Sequence, residues 1–310
     1  MFIKMEPLVS IIIPCYNVSS FIDKAIRSIL SQTYSYLEIW IIDDASTDDT
    51  LQKINAFKDD RIKVVSFKEN TKKVGAVNEV LQKVNGEYIA FQDADDWSEP
   101  ERIEQQLKEF AKDAALGICF TNYRYVGKKA VAAGQIALTN EDLRNEFLNY
   151  TYKRKPGTTP TICATMMITK EALDKTGGYH PYFAGRVAED IQWIYRIMKD
   201  FKGITIDKVL YNYCVRPGSL TEISSTGKYV KSSYSVQLLS KIINKDIYEG
   251  IDILNPENSS ALKLLELEAC EDALAEAIHT LNETKAIYKG SMSFKLGRFI
   301  LRPLRLLRRK

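Results

Sequence analysis

Over the first 110 residues, apolar positions follow two periods in turn. Residues 8–13 form an apolar run, the pattern of a strand buried on both faces, and Pro14 ends it. Phe21, Ala25, Ile26, Ile29 and Leu30 then recur at helical spacing, with Ser19 or Ser20 placed to cap. Residues 37–42 predict a second buried strand. Thr47 or Asp48 is expected to cap a helix through Leu51, Ile54 and Phe57. Residues 61–67 read as strand, 74–84 as helix and 88–91 as strand, and Pro100 opens a helix carrying Ile103, Leu107 and Phe110. Strand and helix alternate four times, the pattern of a parallel sheet covered by helices, in which ligands bind outside the carboxyl ends of the strands.

The second half is less regular. Residues 116–126 predict an aromatic-rich, hairpin-forming strand, 161–168 and 204–215 further strands, and 191–198 a helix. From about Glu222 the pattern is helical. There Leu267, Cys270, Leu274, Ala277 and Leu281 repeat 3-4-3-4, a two-heptad seam expected to pack on its own domain, with homodimerisation as the alternative.

Charge sharpens this picture. The chain has 310 residues, 43 Lys+Arg against 40 Asp+Glu, and a net charge of +3. Lys295–Lys310 holds seven basic residues and no acid, leaving 36 basic against 40 acidic in the body. An acidic body speaks against nucleic-acid binding. The five cysteines, Cys15, Cys119, Cys163, Cys214 and Cys270, form no CxxC and fit a reducing compartment without disulfide or zinc. No signal peptide or run long enough to span a membrane is recognisable, so a cytoplasmic location is expected.

Candidate chemistry lies at two strand ends. Asp93, Asp95 and Asp96 follow the fourth strand. A solvated loop tolerates three such carboxylates, but at the carboxyl end of a central strand they call for a cation. Oxygen-only ligands favour Mg2+ or Mn2+. Such an ion would neutralise a leaving diphosphate. Asp43 and Asp44 end the second strand at the same edge, where α/β folds grip a ribose or base; helix capping is their plainer use.

The segments VSIIIPCYN (9–17), EIWIIDDASTDDT (38–50), GEYIAFQDADD (86–96) and GGYHPYFAGRVAEDIQWIYRI (177–197) together resemble glycosyltransferase family 2. The resemblance implies an α/β GT-A fold: a Rossmann-like, mostly parallel sheet flanked by helices, with a C-terminal helical extension. It implies a GT-A domain over 1–221, with a nucleotide-sugar half to about 110 and an acceptor half beyond. A helical extension over 222–290 and a basic tail over 291–310 would follow. By the same resemblance Pro14 and Tyr16 line the nucleoside pocket, and Asp44, with Asp43 beside it, holds the uracil or its equivalent. Lys72 or Lys73 contacts the nucleotide. Asp93 and Asp95 form the DxD motif: Asp95 is the direct metal ligand, Asp93 faces the ribose or metal, and Asp96 faces the donor sugar or acceptor. Asp190, preceded by Glu189, is the general base. Trp97 and Trp193 are either sugar platforms or ordinary packing. In YCVRPGSLT (213–221), Cys214 and Arg216 stand where many members have Arg and His. That His helps hold metal in some members; Arg cannot, so Arg216 is expected on the diphosphate.

The resemblance further implies an inverting, single-displacement transfer from a nucleoside-diphosphate sugar, most readily a UDP-sugar, with Mn2+ or Mg2+. Without QxxRW or membrane spans, transfer of one sugar to a glycan or lipid-linked glycan of a bacterial surface polysaccharide is expected rather than processive polymerisation. In the tail, Arg298, Arg302, Arg305 and Arg309 share one helical face and Leu296, Ile300, Leu304 and Leu307 another. A basic amphipathic segment fits an anionic membrane surface, hence a peripheral place on the inner face of the cell membrane; a tail packed on the body or solvated is the alternative. A pyrophosphorylase would need a Gly-rich basic loop, and a NAD-dependent oxidoreductase GxGxxG, where this chain has Pro-Cys-Tyr-Asn. A non-catalytic nucleotide-sugar-binding relative stays open as the alternative.

Overall fold

The computed structural model describes residues 6–127, 139, 141, 163–186, 189–215 and 233–290. The chain divides into two units, Met1–Ile251 and Asp252–Lys310. The first begins β1 (Val9–Cys15), α1 (Ile22–Leu30), β2 (Leu37–Asp43), α2 (Thr50–Ala56), β3 (Ile62–Ser66), α3 (Lys72–Leu81) and β4 (Tyr88–Phe91). It continues with β5 (Trp97–Ser98), α4 (Arg102–Phe110), β6 (Leu116–Val126), β7 (Met167–Thr169), α5 (Lys170–Thr176), α6 (Glu189–Asp200), β8 (Lys202–Cys214) and α7 (Ser233–Glu249). The second unit holds α8 (Ser259–Gly290).

One eight-stranded sheet runs β3-β2-β1-β4-β7-β6-β8-β5. The β3-β2-β1-β4 half is wholly parallel, as the alternation predicts. The other half is mixed: β7 is antiparallel to β4 and β6, and β8 runs parallel to β6 but antiparallel to β5. The hairpin expected of residues 116–126 is replaced, among the described residues, by these pairings with β7 and β8. Residues 161–168 resolve, where described, into a single 3-10 turn (Cys163–Thr165) and the short β7.

Both faces of β1 and β2 are covered, so nearly every residue in them is buried. Edge strand β3 is only partly buried. A buried polar clamp sets the register. Ser10 lies opposite Glu38 and donates to it at 2.6 Å, and the Lys63 ammonium and the Asn85 backbone N–H reach the same carboxylate at 2.6 and 2.7 Å. Burial works against this charge, but the bonds from Lys63, Ser10 and Asn85 outweigh it and bring the Glu38 pKa down to about 2.

The expected caps differ in detail. Neither Ser19 nor Ser20 caps α1, which enters through backbone bonds from Phe21 and Ile22 to the Val18 carbonyl. Asp48 does serve α2, one residue ahead of the cap position, by accepting from the Thr50 N–H at 3.0 Å.

Within the second unit, Leu267, Leu274 and Leu281 of the heptad seam are exposed, and so is Cys270, so packing on their own domain is not what these side chains do. The basic tail and Arg216 lie outside the described residues. All five cysteines are free thiols. Among the described residues no helix is long and apolar enough to cross a membrane.

Candidate functional site

The parallel strands end together. Cys15 of β1 faces Asp43 of β2, and the Gln92 N–H beyond β4 reaches the Ile12 carbonyl at 3.0 Å. The chain turns to opposite sides of β1 here, the switch point at which such sheets open a crevice. Pro14 is half-buried and Tyr16 is exposed above it. The loops after β1 and β2 are stitched to each other. Asn17, left-handed at φ 50°, accepts from the Thr47 N–H at 2.8 Å and donates its own N–H to Ser46 Oγ at 3.0 Å. The Ser19 N–H reaches Asp48 at 3.1 Å.

Asp44 and Asp43 diverge in use. The Asp44 carboxylate accepts from the Thr71 N–H at 2.7 Å and the Thr71 hydroxyl at 3.0 Å, fixing the entry to α3. Asp43 is 1% exposed; one oxygen accepts from Ser66 and the other has no hydrogen-bond partner. Lys72 opens α3 at φ 64°, a left-handed conformation uncommon for a side chain of its size.

The acidic loop rests on residues more than a hundred positions away. Tyr211 of β8 accepts at its hydroxyl from the Asp93 N–H at 3.1 Å and from Gln92 Nε2 at 3.2 Å. Below them Arg102 is fully buried and donates to the Phe91 carbonyl at 2.8 Å and Ser98 Oγ at 3.0 Å, with its guanidinium 5.2 Å from the Tyr211 ring. Burial lowers the Arg102 pKa to about 10, so it stays a cation. Asp96 accepts from the Cys214 N–H at 2.7 Å, while its other oxygen is buried and has no partner. Burial, followed by repulsion from Asp93 and Asp95, pushes the Asp96 carboxyl well up; burial, Asp95 and Asp190 raise Asp93 against the pull of Lys73.

Across from this loop stand the first turn of α6 and the start of α3. Lys73, not Lys72, places its ammonium 3.6 Å from Glu189. Burial and the Asp190 and Asp93 carboxylates lift Glu189 to about 7, in spite of Lys73. Burial pulls Lys73 down, but the acidic groups around it, Tyr179, Asp93 and Glu189, outweigh it and keep the ammonium charged. Asp190 holds one oxygen on the Ile191 N–H at 2.7 Å, at the positive end of α6. Asn78 of α3 ties this wall to the main chain of Tyr179 by bonds of 2.7 and 2.9 Å. Gly178 (φ 84°) makes that approach possible, since a Cβ there would lie 2.7 Å from the Asn78 side-chain oxygen.

Asp93, Asp95, Asp96, Lys73, Glu189 and Asp190 therefore form one electrostatic cluster, while Asp44 serves the α3 loop beside it. Trp193 is fully buried, edge-on to Phe91 at 5.7 Å and Tyr179 at 4.9 Å, which makes it core and not a sugar platform. Trp97 on β5 carries the Lys24 ammonium over its ring at 2.9 Å.

The donor set fits a hard divalent cation. The candidate ligand atoms, on Asp93 and Asp95, are all oxygens, and burial together with neighbouring carboxylates raises Asp93 in spite of Lys73 and Arg102, an environment that an added cation would relieve. Among the described residues, no three His, Cys, Asp or Glu side chains already converge as a cage. An ion held by one or two carboxylates keeps positions open for phosphate oxygens, as Mg2+ and Mn2+ do.

Tyr211, Arg102, Gln92 and Asn17 carry the site without advertising themselves in sequence. Only Arg102 offered a clue, as a charged residue on the inward face of a helix otherwise marked by Ile103, Gln106 and Phe110.

Residues 10–177 match the family described as Glycosyl transferase family 2. The chain is 31% identical to a chondroitin synthase of Escherichia coli over 82% of its own length and 36% of that protein's, so it spans about a third of that relative. It is 35% identical to the Escherichia coli UDP-Glc:alpha-D-GlcNAc-diphosphoundecaprenol beta-1,3-glucosyltransferase WfaP over 69% of this chain and 80% of the other. The mannosyltransferase PcManGT of Pyrobaculum calidifontis, solved with GDP-Man and Mn2+, superposes with a TM-score of 0.54 at 19% identity, covering 94% of this chain and 83% of that one.

Proposed function

The chain belongs to glycosyl transferase family 2, and on that premise we propose that it transfers one sugar, with inversion, from a nucleoside-diphosphate sugar to a glycan or lipid-linked glycan acceptor in bacterial surface polysaccharide synthesis. The observation that carries the reading is that two acidic groups gather about Lys73: its ammonium lies 3.6 Å from Glu189 at the start of α6, beside Asp190, and within the field of Asp93 on the β4 loop, which Asp95 and Asp96 share. A UDP-sugar is the donor we favour, in keeping with the UDP-Glc in the name of one relative.

Each residue has a task. Pro14 and Tyr16 border the nucleoside, and Asp44, whose Oδ1 is held by Thr71, takes a hydrogen bond from the uracil or its equivalent, with Asp43 beside it. Asp93 and Asp95 hold Mn2+ or Mg2+, with Asp96 turned toward the donor sugar. The ion supplies charge neutralisation of the departing nucleoside diphosphate. Lys73 offsets the acidic cluster and pairs with Glu189. Asp190 takes the acceptor hydroxyl proton as the new bond forms on the face opposite the leaving group. Arg216 would meet the diphosphate, and the basic tail would hold the enzyme at an anionic membrane.

The test begins with a thermal-shift screen of nucleotide sugars with Mn2+, in which a true donor raises the melting temperature. The Asp190→Asn variant keeps that shift and loses transfer by at least ~100-fold. Full transfer in the variant removes Asp190 as base. A donor that binds without metal-dependent hydrolysis or transfer favours a binding relative.

A further inference from the structure

Helix α8 is 32 residues long, on the order of 48 Å at helical rise. Along it Leu264, Leu267, Leu274, Ile278 and Leu281 are each 51–61% exposed. Their spacing of 3, 7, 4 and 3 places them at the a and d positions of successive heptads, with Glu271 at the skipped a position and Lys285 at the next. This stripe differs from the seam first read through Cys270 and Ala277: its a positions are Leu264 and Ile278, large side chains that leave apolar area in water.

A lipid surface does not suit it. A helix lying in a membrane interface carries a basic polar face, whereas α8 has six acidic residues against three basic. A second α8 does suit it. A parallel, in-register pair would stack Glu271 on the partner's Glu271 and Lys285 on the partner's Lys285, two like-charge layers in the seam. An antiparallel pair alternates a with d across the interface, so Ile278 can meet the partner's Leu267, the partner's Leu274 or the partner's Leu281. The first register overlays the whole stripe but brings Glu271 to within one layer of the partner's Glu271. The other two bring Glu271 to within one layer of the partner's Lys285, and twofold symmetry forms that opposite-charge pair twice, so the charges select these two.

We propose that the apolar stripe of α8 pairs antiparallel with the same stripe of a second copy of this chain, with Glu271 and Lys285 setting the direction. The surface is independent of the transfer reading and stands or falls without it.

The experiment is sedimentation of the full chain over a wide concentration range, with circular dichroism confirming that each variant is folded. The wild type is expected to dimerise reversibly. Glu271→Lys and Lys285→Glu each weaken the dimer roughly tenfold, because every swap counts twice. The double swap restores wild-type affinity. A monomer at every concentration overturns the proposal. A dimer indifferent to the single swaps overturns it too, because in a parallel pair like charges stay opposite like charges. So does a double swap that fails to recover.

Discussion

Tyr211 shows how one side chain can set a site it does not enter. Its hydroxyl accepts from both Gln92 and the Asp93 N–H. Tyr211→Phe leaves the Asp93 N–H without this acceptor, at a cost of about 1–3 kcal/mol, while Gln92 Nε2 keeps its bond to the Asp93 carbonyl. The acidic loop then loosens, and the Mn2+ concentration needed for half-maximal activity rises roughly 10-fold or more. A Mn2+ titration of donor hydrolysis checks this; an unchanged titration confines Tyr211 to packing. Asp93 and Asp95 stood out in sequence because three carboxylates in four residues repel unless something compensates. Tyr211 did not, because a tyrosine among tyrosines on a strand carries no local mark, and its partner lies 118 positions away. Arg102 bonds close in sequence, to the Phe91 carbonyl and Ser98, and shows only as a charged residue on the inward face of α4. Ala45 and Lys72, both left-handed at φ 61° and 64°, sit where a glycine would relieve strain, and neither residue type signals that conformation.

At the scale of elements, β1, β2 and β4 were legible because a strand covered on both faces must be apolar throughout, and few other structures impose that pattern. Pairing partners were not, since the continuous burial along β6 does not record which strand lies beside it. The entry to α1 departs from the serine cap because backbone bonds from Phe21 and Ile22 to the Val18 carbonyl close the first turn without a side chain. The Glu38 clamp carries a prediction of its own. Its folded pKa is about 2, below an ordinary glutamate. Its stabilisation is therefore present in full above about pH 4.5 and is lost as pH falls toward 2. Glu38→Gln should cost about 2 kcal/mol at neutral pH, and the gap between variant and wild type should close through that acid range. Paired urea melts measure it; a gap independent of pH places the cost in packing and not in charge.

For the whole molecule, the near-neutral net charge of +3 conceals a basic tail on an acidic body. If that tail is the membrane anchor, the full chain co-sediments with anionic vesicles in low salt, and a chain ending near Gly290 stays in the supernatant, since each basic residue adds ~1 kcal/mol near such a surface. Equal partition of the two sinks the anchor. The mixed sheet has a temporal consequence as well. Strands β1 to β4 pair with neighbours close in sequence, so this half can assemble while the rest of the chain is still being made. The acidic loop, however, is pinned only when β8 emerges and delivers Tyr211 and the Cys214 N–H. Carboxylates that would seize a cation are thus left unpinned in any chain that ends before β8, and fraying of β8 would release them while the nucleotide half stays folded. The strand made late acts as an interlock: chemistry becomes available only once synthesis of the sheet is finished.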